Sequence, residues 1–266
     1  MTSDTFSRSC KGFVVEARLV GWDAEAFGVP VAQITRIEVA DPAAAAREYG
    51  AFEAWVAAND VRIVSCRLPH ERIAESMFLE GRDFRFIETV LHPQLRDLRE
   101  RCLPDDTLAL LPAAEAELPV LLAIAETEFV HGRYHVDPRL DPKLADRRYT
   151  RWVRTSLRHP SQRLLTVWDG MQVIGFFLVE YGADGHAYYH LHAIAPGFQG
   201  RGYGRRAWLA MLRHSRDAGV LQVTTAISAS NMRILNLFVS LSARFLPSEM
   251  TFHWVRQDLR TAGPSS

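Results

Sequence analysis

The residues with the clearest chemical potential lie from His190 to Gly204, reading His-Leu-His-Ala-Ile-Ala-Pro-Gly-Phe-Gln-Gly-Arg-Gly-Tyr-Gly. An apolar strand pattern there enters a glycine-rich turn and then a helical pattern. Glycines let the backbone approach a pyrophosphate, successive N–H groups point into one concavity, and a helix N-terminus adds roughly half a positive charge. Arg201, Arg205 and Arg206 place side-chain cations beside that turn. The expected chemistry is anion binding by backbone. It is not a Walker loop, because no Gly-Lys-Ser/Thr follows, and it is not a dinucleotide fingerprint, because Val220-Leu221-Gln222-Val223 stands where an acidic residue is required.

Proton-transfer groups precede the turn. His190 and His192 are spaced to share one face of a strand, with Tyr189 on the other. An imidazole with an ordinary pKa of about 6.5 can accept an ammonium proton directly or through water, although a hydrogen-bonded strand histidine is the competing structural reading for each. Upstream, from Arg133 to Arg163, nine Lys and Arg residues face three Asp, a local excess of six positive charges in a chain whose net charge is zero. Such a patch suits an anionic acceptor gripped by paired arginine contacts; a solvated arginine face on a helix is the alternative for Arg151, Arg154 and Arg158. Within it, His131, Arg133 and Tyr134 are the expected acceptor-binding residues. His131 and His135 would reach helical spacing only with Gly132 in the helix, and no third ligand accompanies them, so no metal site is expected.

These groups need a scaffold, and 266 residues allow two packed units or one long domain. Lys+Arg and Asp+Glu balance at 31 each, which disfavours a nucleic-acid or anionic-membrane role. Hydrophobic residues at 48% exclude wholesale disorder. Cys10, Cys66 and Cys102 are odd in number and far apart, and no apolar leader or long apolar run is present, so a soluble cytoplasmic protein is expected.

The turn-forming Leu103–Thr107 stretch divides the chain into expected domains at 1–103 and 108–260. In the second, helices are expected at 113–129 and 143–158, and three meander strands at 163–168, 173–181 and 187–195. A helix at 203–218, a strand at 221–228, a helix at 232–241 and a strand at 245–255 follow. In the first, a helix at 43–58, strand at 61–68, helix at 73–79 and strand at 84–91 echo the order of the last four. Phe84, Glu88 and His92 match Phe245, Glu249 and His253 at one constant offset. The echo lacks the glycine turn, with Asp41-Pro42-Ala43-Ala44 in its place, so one anion site is expected.

Gln199-x-x-Gly202-x-Gly204 after a strand ending Ile194-x-Pro196 resembles the acetyl-CoA-binding motif of the GCN5-related N-acetyltransferase (GNAT) superfamily. Asn231-x-x-Ile234-x-x-Leu237-Phe238 followed by Ser242-Ala243-Arg244-Phe245 is similar to that superfamily's next helix and last strand. The segment Leu19–Pro30, the stretch Arg133–Trp152 and the close Ser242–Val255 are further similar to the TDP-fucosamine N-acetyltransferases, which acetylate a sugar amine for bacterial surface polysaccharide. The resemblance implies an α/β (α+β) GNAT fold, a mixed, mostly antiparallel central sheet flanked by helices, with a smaller N-terminal α/β domain like half of it.

It also implies an N-acetyltransferase with acetyl-CoA as donor, a small amine acceptor that attacks the thioester directly in a ternary complex, and coenzyme A as product. By position, the Ile194 N–H would be the oxyanion donor and Ala193 would lie beside the pantetheine arm. Gln199, Gly200, Arg201, Gly202, Tyr203 and Gly204 would hold the pyrophosphate, and Asn231 would fall near the arm's far side. His190 and His192 are the candidates for proton transfer, because the superfamily's usual acid, a tyrosine, is replaced by Phe238. That replacement keeps two alternatives open: another amine acceptor (polyamine, amino acid, peptide or antibiotic), or a non-catalytic acyl-CoA-binding protein. A homodimer is compatible with the sequence; nucleic-acid and membrane partners are not expected.

Overall fold

The structure, a computed structural model, describes residues 3–259. The first half runs β1 (Thr5–Cys10), β2 (Phe13–Leu19), α1 (Gly21–Phe27), β3 (Val31–Val39), α2 (Pro42–Glu48), α3 (Gly50–Ala58), β4 (Ile63–Pro69), α4 (Ile73–Glu80) and β5 (Arg85–Leu95). Next come β6 (Ala109–Pro112), α5 (Leu118–Glu128), α6 (Arg133–Val136), α7 (Pro142–Ser156), β7 (Gln162–Asp169), β8 (Gln172–Tyr181) and β9 (His186–Ile194). The chain closes with α8 (Tyr203–Asp217), β10 (Gln222–Thr225), β11 (Ile227–Ser228), α9 (Met232–Ser240) and β12 (Arg244–Val255). The helix expected at 43–58 is two helices meeting at Tyr49, whose side chain is buried. The one expected at 113–129 starts later, where Pro119 occupies the first turn and needs no N–H partner.

Contacts divide the chain into two compact units that interleave in sequence. One comprises residues up to Val90, Gly132–Ala145 and Pro247 onward; the other comprises Leu91–His131 and Asp146–Leu246. In the first unit the strand order is β1-β2-β3-β4-β12, antiparallel except for the parallel β3–β4 pair. Phe13, Ile34, Tyr49, Phe52, Val64 and Phe252 form its largest core cluster.

In the second unit the order is β5-β10-β9-β8-β7-β6, again antiparallel except for one parallel pair, β9–β10. Helix α8 lays Trp208, Met211 and Leu212 on one face of this sheet against Phe177 and Tyr189. Helices α5 and α7 lay Leu121, Ile124 and Val153 on the other, against Phe176, Leu178 and Leu191. Each such large side chain contributes about 1.5–3 kcal/mol on burial, which fixes β8 and β9 from both sides. The fold is the mixed, mostly antiparallel α/β sheet flanked by helices expected for GNAT proteins.

The echo extends upstream of the stretch in which the sequence shows it. A three-strand antiparallel meander, a crossover to a parallel strand, a helix and a final strand occur twice, as β1–β5 and as β7–β12. The final strands are exchanged. β12 pairs with β4 in the first unit, from Glu249↔Pro69 to Val255↔Ile63, and β5 pairs with β10 in the second through Leu95↔Val223 and Gln94↔Thr224.

Candidate active site

Strand β9 carries the site, and its geometry is set by a bulge. The β8–β9 register shifts between Leu178 and Val179, where Leu178 faces Leu191 but Val179 faces Tyr189, leaving His190 as the extra residue. A bulge breaks side-chain alternation. His192 therefore joins Tyr189 on the α8 side, stacked on Phe177 at 5.8 Å and edge-on to Trp208 at 4.8 Å. His190 lies on the other side, at 5.5 Å from the Trp152 ring and 4.8 Å from Tyr188. The shared face expected for the two histidines is thus corrected by one inserted residue.

The two imidazoles also differ electrically. Burial pushes His192 down to about 4, keeping it neutral at physiological pH. His190 instead meets a carboxylate, its Nε2 lying 3.0 Å from Glu180 Oε2. Glu180 is held below the usual carboxylate range by hydrogen bonds from Ser161 first and His190 second.

Beyond the bulge, β9 loses one neighbour. Its parallel pairing with β10 runs from His186↔Gln222 to Tyr189↔Thr225, while β9 continues to Ile194. The Ala195 N–H donates to Ile174 O at 2.8 Å, so alternation turns the Ile194 N–H toward the edge away from β8. Close approach of the two strands here depends on Gly175, opposite Ile194.

The turn follows as a short 3-10 segment, Pro196–Phe198, and then Gly200 and Gly202 at φ +71° and +83°, a left-handed conformation that glycine adopts without strain. Gly202 is the N-cap of α8 and has no side chain to close the helix start. Among the described residues, no turn or cap hydrogen bond uses the N–H groups of Gly200, Arg201, Gly202 or Gly204. That is an open nest at a helix N-terminus.

Gln199 ties the turn down. Its Nε2 donates to Ile194 O at 2.9 Å and also to Glu128 at the end of α5, and its Oε1 accepts from Arg233 Nη1 at 2.6 Å. Tyr203 donates its hydroxyl to Asp169 at 2.6 Å. The three arginines divide: Arg206 grips Asp106 through two nitrogens at 2.8 and 2.9 Å, whereas Arg201 and Arg205 are exposed and make no ion pair among the described residues. Asn231 caps α9, accepting from the Ile234 N–H at 3.2 Å. Ala193 is buried in the core under α5. Phe238 is 1% exposed, edge-on to Trp208 at 4.8 Å, and is a core residue.

The residues expected to bind the acceptor are divided between the two units. His131 is exposed at the end of its segment of the second unit. Tyr134 is buried in the first, its hydroxyl donating to Asp23 at 3.3 Å and its ring stacked on His253 at 4.9 Å. Arg133 stands over the Tyr134 ring, with Nη2 4.0 Å from Asp23. Of the surrounding basic stretch, Arg139 is engaged by Asp137 and Arg158 by Glu115. Sequence reasoning missed Glu128, Gly175, Glu180 and Arg233, which no motif marks; Glu180 and His190 are ten residues apart and meet only through strand register.

Among the described residues no cluster of His, Cys, Asp and Glu could hold a metal ion, and no helix is long and apolar enough to cross a membrane. Residues 122–241 match the family model described as acetyltransferase (GNAT) family. No curated protein matches the sequence. Several solved structures share the fold. A GCN5-related N-acetyltransferase from Sphaerobacter thermophilus aligns at TM-score 0.63 and 12% identity, covering 95% of this chain and 78% of that one. A tandem GNAT protein from the clavulanic acid biosynthesis pathway aligns at 0.58 and 15%, over 100% of this chain and 86% of that one. A glucosamine N-acetyltransferase region of a fungal multi-domain β-N-acetylglucosaminidase aligns at 0.62 and 12%, over 91% of this chain and 31% of that one. The glycine turn and the open end of β9 lie within residues 122–241, the segment that matches the acetyltransferase (GNAT) family model, and the fold is that of the GNAT structures.

Proposed function

We propose that this chain transfers an acetyl group from acetyl-CoA to the amine of a small acceptor, an amino-sugar nucleotide first among them. The observation that supports this most is the hydrogen-bonding capacity gathered at one place: the glycine turn's open N–H groups, exposed Arg201 and Arg205, which make no ion pair among the described residues, and the edge of β9 that β10 leaves after Tyr189. The donor's pyrophosphate would rest on Gln199–Gly204, its arm would run along Ala193 and Ile194 toward Asn231, and the Ile194 N–H would stabilise the oxyanion. The acceptor nitrogen attacks the thioester carbonyl; the C–S bond breaks and coenzyme A leaves as thiolate. His190 takes the ammonium proton, and exposed His131 is the proposed acceptor contact. The likeness to a fungal glucosamine N-acetyltransferase region supports testing amino sugars first.

Release of free thiol from acetyl-CoA, measured with TDP- and UDP-amino sugars, polyamines and amino acids, tests the proposal. Release with an amino-sugar nucleotide above the enzyme-free rate is expected. Release only with another amine reassigns the acceptor. Buried Phe238 favours one further reading, a non-catalytic acyl-CoA-binding protein. Calorimetric binding of acetyl-CoA without turnover on any acceptor would establish it.

A further inference from the structure

We propose that Glu180 is a positioning residue that sets the tautomer of His190, so that the imidazole presents a proton-accepting Nδ1 to the acceptor amine. The inference rests on the acetyltransferase reading above and adds to it a residue that no sequence motif marks. His190 is the inserted residue of the β9 bulge, which puts its side chain on the face of Trp152 rather than that of Trp208. Its ring is held edge-on by Tyr188 at 4.8 Å, and Nε2 points at Glu180 Oε2 from 3.0 Å. An ionised carboxylate can only accept, so the Nε2 of a neutral imidazole must carry the hydrogen and Nδ1 must carry the lone pair. Glu180 is ionised at neutral pH, because hydrogen bonds from Ser161 and then His190 favour its charged form.

The proton balance is complete. An ammonium N–H proton moves to Nδ1, the imidazolium is stabilised by Glu180, and the freed lone pair forms the C–N bond while the C–S bond breaks. The amide nitrogen then loses its second proton, one proton goes to the thiolate and one to solvent. His192 is unsuited to this, its ring lying on the opposite face against Phe177 and Trp208. Among the described residues, Glu180 on β8 and Tyr188 on β9 meet His190, Trp152 of α7 packs on it with Arg148 over the Trp152 ring, and His159 acts on Glu180 from before β7.

The test has two arms. In the first, nitrogen-15 shifts of histidine-labelled protein report the tautomer of His190, identified by the signal that His190→Gln removes. The Nε2–H form should dominate in the wild type, and Glu180→Gln should give a mixture of tautomers with an unchanged melting temperature. An identical tautomer ratio in Glu180→Gln overturns the inference whatever the activity. In the second, steady-state kinetics with acetyl-CoA and the acceptor found active above should show kcat lowered about 10²-fold in Glu180→Gln with the KM for acetyl-CoA unchanged. A loss confined to KM assigns Glu180 to binding and overturns the inference. Absence of wild-type thiol release with every acceptor overturns the acetyltransferase reading instead, and the tautomer measurement distinguishes that outcome from the first.

Discussion

Gly175 on β8 lies opposite Ile194 on β9, and a Cβ on Gly175 would stand 2.3 Å from the Ala193 carbonyl oxygen and 2.8 Å from Ile194 Cδ1. Backbone cannot yield at that distance as a flexible side chain can. Gly175→Ala must therefore push the end of β9 outward, at the point where the donor's thioester is proposed to lie. Overpacking of this kind costs about 1–3 kcal/mol. The expected result is a lower denaturant midpoint together with loss of acetyl-CoA binding by calorimetry; retained binding at wild-type affinity would show that the β8–β9 spacing is irrelevant to the donor.

The three arginines of the turn should separate by assay. Arg201 and Arg205 have no carboxylate partner, so their charge is available to a phosphate, and Arg201→Ala or Arg205→Ala should each weaken coenzyme A binding about tenfold, about 1.4 kcal/mol, with a shallower salt dependence. Arg206 is spent on Asp106, whose carboxyl it holds below the usual range. Arg206→Ala should lower the melting temperature and leave affinity within about twofold. The reverse pattern, with Arg206 dominating affinity, would place the pyrophosphate further along α8.

A buried ion cluster in the first unit predicts acid sensitivity. Burial opposes ionisation of Asp137, but hydrogen bonds from His253 and Arg139 outweigh it and hold the carboxyl well below its ordinary range. Burial pushes His253 from 6.5 down to about 4 despite Asp137 beside it. Both shifts are depressions, so both groups contribute stability above their unfolded values and lose it as pH falls. The unfolded chain binds a proton at His253 from pH 6.5 downward that the native chain refuses until about 4. Unfolding free energy should fall across that window by about 1.4 kcal/mol per pH unit for this histidine, and Asp137 should add to the loss below it. Urea titrations between pH 7 and 4 check the slope, and His253→Gln should flatten it.

Sequence patterning reached the longer helices and strands of the second unit, though not the four-residue β6, because each carries a clean period, as α8 does with Trp208, Met211, Leu212 and Ser215 on its buried side. The turn was legible for the same reason that it works: glycines adopt the left-handed φ at positions 200 and 202 without strain. The His190/His192 faces were not legible, since a bulge inserts one residue without changing composition. Glu180, Gly175 and Arg233 act through contacts between strands or helices, and a single sequence carries no register. Tyr134 reads as a loop residue beside cations, yet lies buried against Asp23 and His253 from distant segments. The echo of Phe84, Glu88 and His92 at Phe245, Glu249 and His253 was legible as a repeat, but nothing in it says that the two strands exchange.

That exchange makes the second half of the chain dependent on the first. A fragment of residues 108–260 retains the glycine turn but loses β5, whose Gln94 and Leu95 pair with Thr224 and Val223, and whose Leu95, with Leu98 after it, is buried in the core under α8. Strand β10 would then become an open edge of that unit's sheet, a template for aggregation. The same fragment keeps β12 without β4, its antiparallel partner from Pro69 to Ile63. The expected outcome is an insoluble or non-cooperatively unfolding fragment, checked by circular dichroism and thermal melting against the full chain. A fragment 108–260 that melts cooperatively and binds coenzyme A like the full chain would show that β5 is dispensable to the site.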